Sequence, residues 1–512
     1  MIMNPSTIHE VVIDGHSLTI ESFVAVARFG AKVSVSPEAI ANMQKSRDLA
    51  EKIAAEKRVA YGITTGFGDF AKVAVPEEMS NTLSTSEPYS EEVVRGMLLL
   101  RANALCVGVS GVRPVLVTMM AEMLNKGVVP VVPQKGSLGA SGDLAPLAHM
   151  SLPLLGKGRA YYQGVEMDGG EAMAKAGIQT LDTLVCKEGL GLTNGTCAMT
   201  SVGTLALYDT ICASQLADLI ASMSMEALTG LLNAFDERVQ AGRSHKGQLT
   251  VAKNFRLLTE GSEILSNCQQ DRVQDAYSLR CIPQVHGAIR DAIDYVMEKV
   301  SIELNAVTDN PLVFLDDENV ISGGNFHGEP MVPAFDLLGI ACSEIADISE
   351  RRTERMVNAA LSNGLTPFLT TEGGVNSGYM IVQYSAASMV SENKVLAHPA
   401  SVDSIPSSAN QEDMVSMGTT AARKAGWIVQ NTLSVLADEL LTACQGIDIR
   451  RRLNTHGQGI SPVHQKVYDC VRKVADFYEV DRELWPDIKA VEKLVRSGEL
   501  LEIVRSTVAD FE

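Results

Sequence analysis

Five stretches of this chain keep a helical pattern for much longer than helices usually run. Residues 200–232, 284–306, 331–361, 380–397 and 417–445 all carry it. In the third, Phe335, Leu338, Cys342, Ile345 and Ile348 recur at spacings of three and four, which lines them up along one face of a helix. A typical helix in a soluble protein has about 11–12 residues. Longer ones bury their apolar stripes by packing against one another as a bundle, often across subunits. The chain therefore reads as mostly α, with a long central helical bundle.

The N-terminal part is mixed. Val11 to Ile13 and then residues 17–20 suggest a small strand element, followed by a short helix from Ile20. Ser36-Pro37-Glu38 opens a further helix to about Glu56, with serine at the cap, proline at the first helical position and an acid in the first turn. Residues 61–68, YGITTGFG, hold three glycines and form a loop. Helical spacing returns at 91–105 and 112–124. Pro130 and Pro133 then lead into a Gly/Ser-rich segment at 136–142. Polar, glycine-bearing loops are expected at 269–280, 308–327, 370–377 and 401–413. Two domains are expected: residues 1–200, carrying the Gly/Ser-rich segment, and residues 201–512, the helical bundle.

Charge and cysteine usage narrow the function. With 43 basic against 62 acidic side chains the net charge is −19, which opposes phosphate tracking on nucleic acid and docking on an anionic membrane. No signal peptide is visible, and no apolar stretch approaches the roughly 20 residues of a spanning helix. The nine cysteines are scattered without a CxxC pair, so buried, reduced thiols in the cytoplasm are expected. The histidines are dispersed and lack an HExxH pair; no metal site is expected.

The segment GSLGASGDL at 136–144 carries the chemistry. It lacks the ending of a phosphate-binding P-loop, the spacing of a dinucleotide turn and the GxSxG pattern of a serine nucleophile. Another reading uses every residue. If the Gly142 nitrogen attacks the Ala140 carbonyl, a five-membered imidazolone closes. Loss of water from the ring and from Ser141 then leaves an exposed methylidene carbon, a strong electrophile. Glycine suits the attacking position because a side chain would obstruct so compressed a turn.

Together with other motifs in order along the chain, this segment resembles the aromatic amino acid ammonia-lyase family, over nearly the whole length. The motifs are YGITTGFG (61–68), VRGMLLLRANAL (94–105), GSLGASGDLAPLAHMSL (136–152), EGLGLTNGT (188–196), QDAYSLRCIPQV (274–285), ISGGNFHGEP (321–330), SENKVLAHPASVDS (391–404), SANQED (408–413) and ACQGIDIRR (443–451). The resemblance implies a 4-methylidene-imidazol-5-one group (MIO) formed from Ala140, Ser141 and Gly142. It also implies a homotetramer whose active sites are shared between subunits.

By the same resemblance Tyr61 is the base that removes the β-hydrogen and Tyr277 is a proton relay. On residues alone, each reads as a packed aromatic in a loop. Asn194 is implied to bond the ring carbonyl. Arg280 clamps the substrate carboxylate with its planar fork, and Asn310 shares that carboxylate. An ordinary ion pair and a turn before proline are the plain alternatives for these two. Gln274 and Phe326 line the pocket. Glu412 stands where histidine-type members carry glutamate and the phenylalanine and tyrosine branches carry glutamine. A carboxylate there accepts a hydrogen bond from an imidazole N–H. The implied reaction is elimination of ammonia from L-histidine to trans-urocanate.

The resemblance has gaps. Ser86 runs straight into Glu87-Pro88, where histidine-type members carry a further segment with a substrate-selecting histidine. Thr64 replaces a frequent asparagine, and Met414 a usual histidine. Another aromatic or imidazole substrate, and a 2,3-aminomutase that returns ammonia to the β-carbon, stay open. Elimination of trimethylamine from a histidine betaine fits less well, because its quaternary nitrogen has no use for the electrophile that Ala140-Ser141-Gly142 would form.

Overall fold

The structure, a computed structural model, describes residues 4–58, 60 and 86–512. It is predominantly helical with a few short strands, so the mostly α fold class is as expected. Two compact units are interleaved along the chain. The first comprises Met1–Tyr208, Val296–Asp336 and Pro399–Arg423; the second comprises Asp209–Tyr295, Leu337–His398 and Lys424–Glu512.

In the first unit, strand β1 (Glu10–Ile13) pairs in parallel with β2 (Lys32–Val35), joined by helix α1 (Ile20–Phe29). Residues 17–20 are therefore no strand. Thr19 caps α1 by accepting from the Ser22 N–H, with Ser22 returning the bond, and this reciprocal cap turns the chain into a helix. Helix α2 (Pro37–Ala55) follows Ser36 as expected. Helix α3 (Glu91–Cys106) is buried along almost its whole length and carries two buried arginines, Arg95 and Arg101. Helix α4 (Val115–Lys126) starts later than its apolar pattern because Pro114 sits at its cap.

Strands β3 (Val128–Pro130), β4 (Arg159–Tyr162) and β5 (Val165–Asp168) form an antiparallel sheet. Helices α5 (Ala145–Ser151), α6 (Gly169–Lys175) and α7 (Glu188–Thr193) lead to α8 (Cys197–Ala227). The stretch 308–327, expected to be a loop, contains an antiparallel hairpin of β6 (Leu312–Phe314) and β7 (Asn319–Ile321).

The second unit is built from long helices, among them parts of Ile282–Glu303, Val332–Val357 and Gly418–Leu453, and all of Met380–Leu396. Their packing buries a charged pair. Arg352 and Glu439 are fully buried, with two hydrogen bonds of 2.5 and 2.9 Å, and Ser224 Oγ donates to the same carboxylate at 2.7 Å. A bidentate pair of this kind offsets its desolvation only when the geometry is good and the spare lone pairs are filled. None of the nine cysteines is in a disulfide, and six of them are buried. No described helix is long and apolar enough to cross a membrane.

Candidate active site

The Ala140-Ser141-Gly142 turn lies in the first unit and is held from three sides. Asp143, directly after it, is wholly buried. Its Oδ2 accepts from the N–H groups of Ala198 and Met199 at 2.6 and 3.0 Å, satisfying free donors at the start of α8. Its Oδ1 accepts from Ser137 Oγ at 2.9 Å and Thr419 Oγ1 at 2.5 Å. Burial pushes the Asp143 carboxyl above the usual carboxylate range, and these four bonds pull it back. Such a donor set suits the carboxylate form.

The second side is the Asn194-Gly195 strip between α7 and α8. Asn194 Nδ2 donates to the Ser141 carbonyl at 2.6 Å, and the Asp143 N–H donates to the Gly195 carbonyl at 2.7 Å. Gly142 and Gly195 pair as an isolated parallel bridge. A Cβ on Gly142 would lie 2.2 Å from the Gly195 carbonyl oxygen, and Gly142 has φ +79°, so only glycine fits.

The third side is the 401–413 loop. Ser141 Oγ donates to Glu412 Oε1 at 2.6 Å, while Ser407 Oγ holds Glu412 Oε2 at 2.7 Å. Main-chain bonds between Ser407 and Glu412 in both directions fix the loop that presents this carboxylate. The residues therefore fit the implied ring. The attacking nitrogen sits at a position with no room for a side chain, the future ring carbonyl already has its donor, and the hydroxyl to be lost rests on a carboxylate.

The remaining residues singled out from the sequence are distributed as follows. Asn310 is buried in the first unit, but its amide is engaged nearby: Nδ2 donates to Ser322 Oγ at 3.2 Å, and Oδ1 accepts from the Gly323 N–H at 2.7 Å. Phe326 is half-buried beyond β7. Gln274, Tyr277 and Arg280 belong to the second unit. There the Arg280 guanidinium lies 4.7 Å over the Tyr277 ring, and Asp275 anchors the segment by accepting from the Leu231 N–H at 2.6 Å and Arg272 Nε at 2.7 Å. Tyr61 and Thr64 lie outside the described residues.

Several supporting residues escape a reading by motif. Lys187 and Asp309 form a fully buried ion pair at 2.7 Å, linking the start of α7, which leads to Asn194, with the residue before Asn310. Burial pulls the Lys187 ammonium below its usual range, and Asp309 opposes the shift. Glu303 is half-buried, accepts from Thr196 Oγ1 at 2.5 Å, and desolvation raises its carboxyl. Arg101 donates from Nη1 to the Asn194 carbonyl at 2.5 Å. The one signal for it in the sequence is a charge in the middle of an apolar helix, MLLLRANAL.

Residues 18–473 match the model of the aromatic amino acid lyase family. The chain belongs to the aromatic amino acid lyase family. Among its relatives in that family, a protein named histidine ammonia-lyase from Caldanaerobacter subterraneus subsp. tengcongensis is 54% identical over 506 residues, 97% of this chain and 98% of the relative. The crystal structure of histidine ammonia-lyase from Trypanosoma cruzi superposes with a TM-score of 0.90 at 40% identity, covering 98% of this chain and 96% of that one. Tyrosine aminomutase from Streptomyces globisporus has a TM-score of 0.92 at 35% identity, covering 98% and 99%.

Proposed function

We propose that this aromatic amino acid lyase eliminates ammonia from L-histidine to give trans-urocanate, a step of histidine breakdown, using an MIO group made from Ala140, Ser141 and Gly142. The observation that carries the reading is the Glu412 carboxylate, 2.6 Å from Ser141 Oγ. Once that hydroxyl has left as water, Glu412 Oε1 is free to accept from an imidazole N–H beside the new electrophile. Ser407 keeps the carboxylate in place. The likeness to proteins named histidine ammonia-lyase supports the same substrate.

The MIO group, when formed, supplies the electrophile that makes the substrate's amine a better leaving group. The chain's own residues do the remaining work. Asn194 Nδ2 is a fixed donor on the Ser141 carbonyl, where negative charge develops, and a preorganised donor costs no reorganisation during reaction. Tyr61 removes the β-hydrogen, a role that requires a phenol held partly ionised, and Tyr277 relays a proton. Arg280 clamps the substrate carboxylate with Asn310 beside it. Gln274 and Phe326 line the pocket. We place the enzyme in the cytoplasm as a homotetramer with shared active sites. Its free thiols suit a reducing compartment, and the helix Met380–Leu396 leaves Ile381, Tyr384 and Val395 exposed for association.

The test is to incubate purified protein separately with L-histidine, L-phenylalanine and L-tyrosine. Near-ultraviolet absorbance follows the conjugated acid, and a coupled assay follows ammonia. Urocanate with an equal amount of ammonia, abolished by Ser141→Ala, is the expected result. Full activity of Ser141→Ala would overturn the MIO chemistry. A β-amino acid formed from tyrosine without free ammonia would instead assign the aminomutase activity that the likeness to tyrosine aminomutase raises.

A further inference from the structure

We propose that Arg101 is a positioning residue for ring closure: its guanidinium fixes the Asn194-Gly195 strip against which the Ala140-Ser141-Gly142 turn is compressed. The inference rests on the MIO reading above and extends it to a residue on a different element.

The contacts run in sequence from helix to turn. Arg101 is fully buried in α3, and its Nη1 donates to the Asn194 carbonyl at 2.5 Å. The same nitrogen would lie 2.6 Å from a Cβ on Gly195, so guanidinium and strip are in direct contact. On its other side the strip meets the turn, through Asn194 Nδ2 to the Ser141 carbonyl, the Asp143 N–H to the Gly195 carbonyl, and the close approach of Gly142 to Gly195. Among the described residues, Nε and Nη2 of Arg101 have no hydrogen-bond acceptor. A buried guanidinium with so few partners is a poor way to stabilise a fold, since a hydrophobic side chain of similar volume usually does better. Its one bond among the described residues goes to the backbone that backs the reacting turn.

Closure needs that backing. The Gly142 nitrogen bonds to the Ala140 carbonyl carbon. The carbonyl oxygen leaves as water with the protons of the Gly142 and Ser141 N–H groups. Ser141 Oγ–H leaves with the Ser141 Cα hydrogen as a second water. No oxidant is consumed. The amide is a weak nucleophile, so the rate depends on how firmly the turn is held in a near-attack geometry. If the strip could retreat, the turn would relax.

Intact-mass spectrometry of the full-length chain reads closure as the loss of two waters, without any turnover. Arg101→Met should leave a folded chain, by circular dichroism, in which the ratio of closed to open ring falls at least tenfold. Arg101→Lys keeps the charge but not the planar fork and should give an intermediate ratio. Arg95→Met is the control. Arg95 is a second buried arginine on α3, bonded to the Val26 and Leu124 carbonyls, and its loss should lower stability while closure stays complete. Complete closure in folded Arg101→Met overturns the proposal, as does an equal loss of closure in Arg95→Met. If Arg101→Met does not fold, complete closure of Arg101→Lys at the wild-type rate overturns it. A wild-type chain that retains both waters overturns the MIO reading itself, and is told apart by that signature.

Discussion

Among single residues, Glu412 is the one proposed to join ring formation to substrate choice. Its Oε1 holds the serine hydroxyl that must leave, and its Oε2 is tied to Ser407, so the carboxylate keeps its place when Ser141 changes. Glu412→Gln retains a hydrogen-bonding group of the same shape but loses the charge. A hydrogen bond to a charged group contributes about 1.5–3 kcal/mol and one between neutral groups about 0.5–1.5, so loss of the charge alone should lower kcat/KM for L-histidine about 5- to 13-fold. The value for L-phenylalanine, which has no ring N–H, should hold or rise. Steady-state assays on both substrates, with closure checked by intact mass, decide it; an equal loss on both would remove Glu412 from substrate selection.

The long helix Gly418–Leu453 carries a second testable residue, far from the chemistry in role. Asp438 is buried, with Oδ2 unpartnered among the described residues. Burial, with Glu492 adding to it and Lys489 opposing, pushes its carboxyl up to about 8. An unfolded aspartate titrates near 3.9, so between that value and about 8 the folded chain binds the extra proton. Stability is therefore highest below the unfolded value and declines as pH rises through this window. Asp438→Asn removes the titration. Its stability relative to wild type should be on the order of 4 kcal/mol better at pH 8 than at pH 5, and any pH-independent cost of the amide cancels in that difference. Denaturant melts at the two pH values measure it; no difference would mean the carboxyl is not buried as a neutral group. Helices like this one were legible in the sequence because a 3.6-residue period repeated many times leaves little ambiguity. Their ends were not. Helix α8 begins before its expected start at residue 200 because the Asp143 carboxylate, distant in sequence, caps it. The β6–β7 hairpin was read as loop, since strands of three residues are too short to show a period of two. The candidate turn stands out in the sequence because the proposed chemistry demands Ser141 and Gly142 themselves. Arg101 and the Lys187–Asp309 pair were not, because their role depends on backbone brought close only by folding.

For the molecule as a whole, the question is what covers the proposed site residues of the second unit. In a single chain Tyr277 is 69% exposed and its neighbour Val273 is 89% exposed. A phenol that relays protons at a strong electrophile needs water excluded, because water competes for the electrophile and screens the charges that tune the phenol. Another copy of the chain would supply that cover in a closed, symmetric oligomer. The test is to pair two inactive chains, Ser141→Ala with no electrophile and Tyr277→Phe with no relay. Suppose one site takes its ring from one subunit and its tyrosine from another. Equal co-expression with random assembly then leaves about a quarter of the sites with both intact groups, since each is drawn independently with even odds. Activity should return to about a quarter of wild type, whereas mixing the two after separate assembly should restore nothing. If both groups come from the same chain, no mixed assembly can hold an intact site, and the co-expressed protein stays as inactive as its parents.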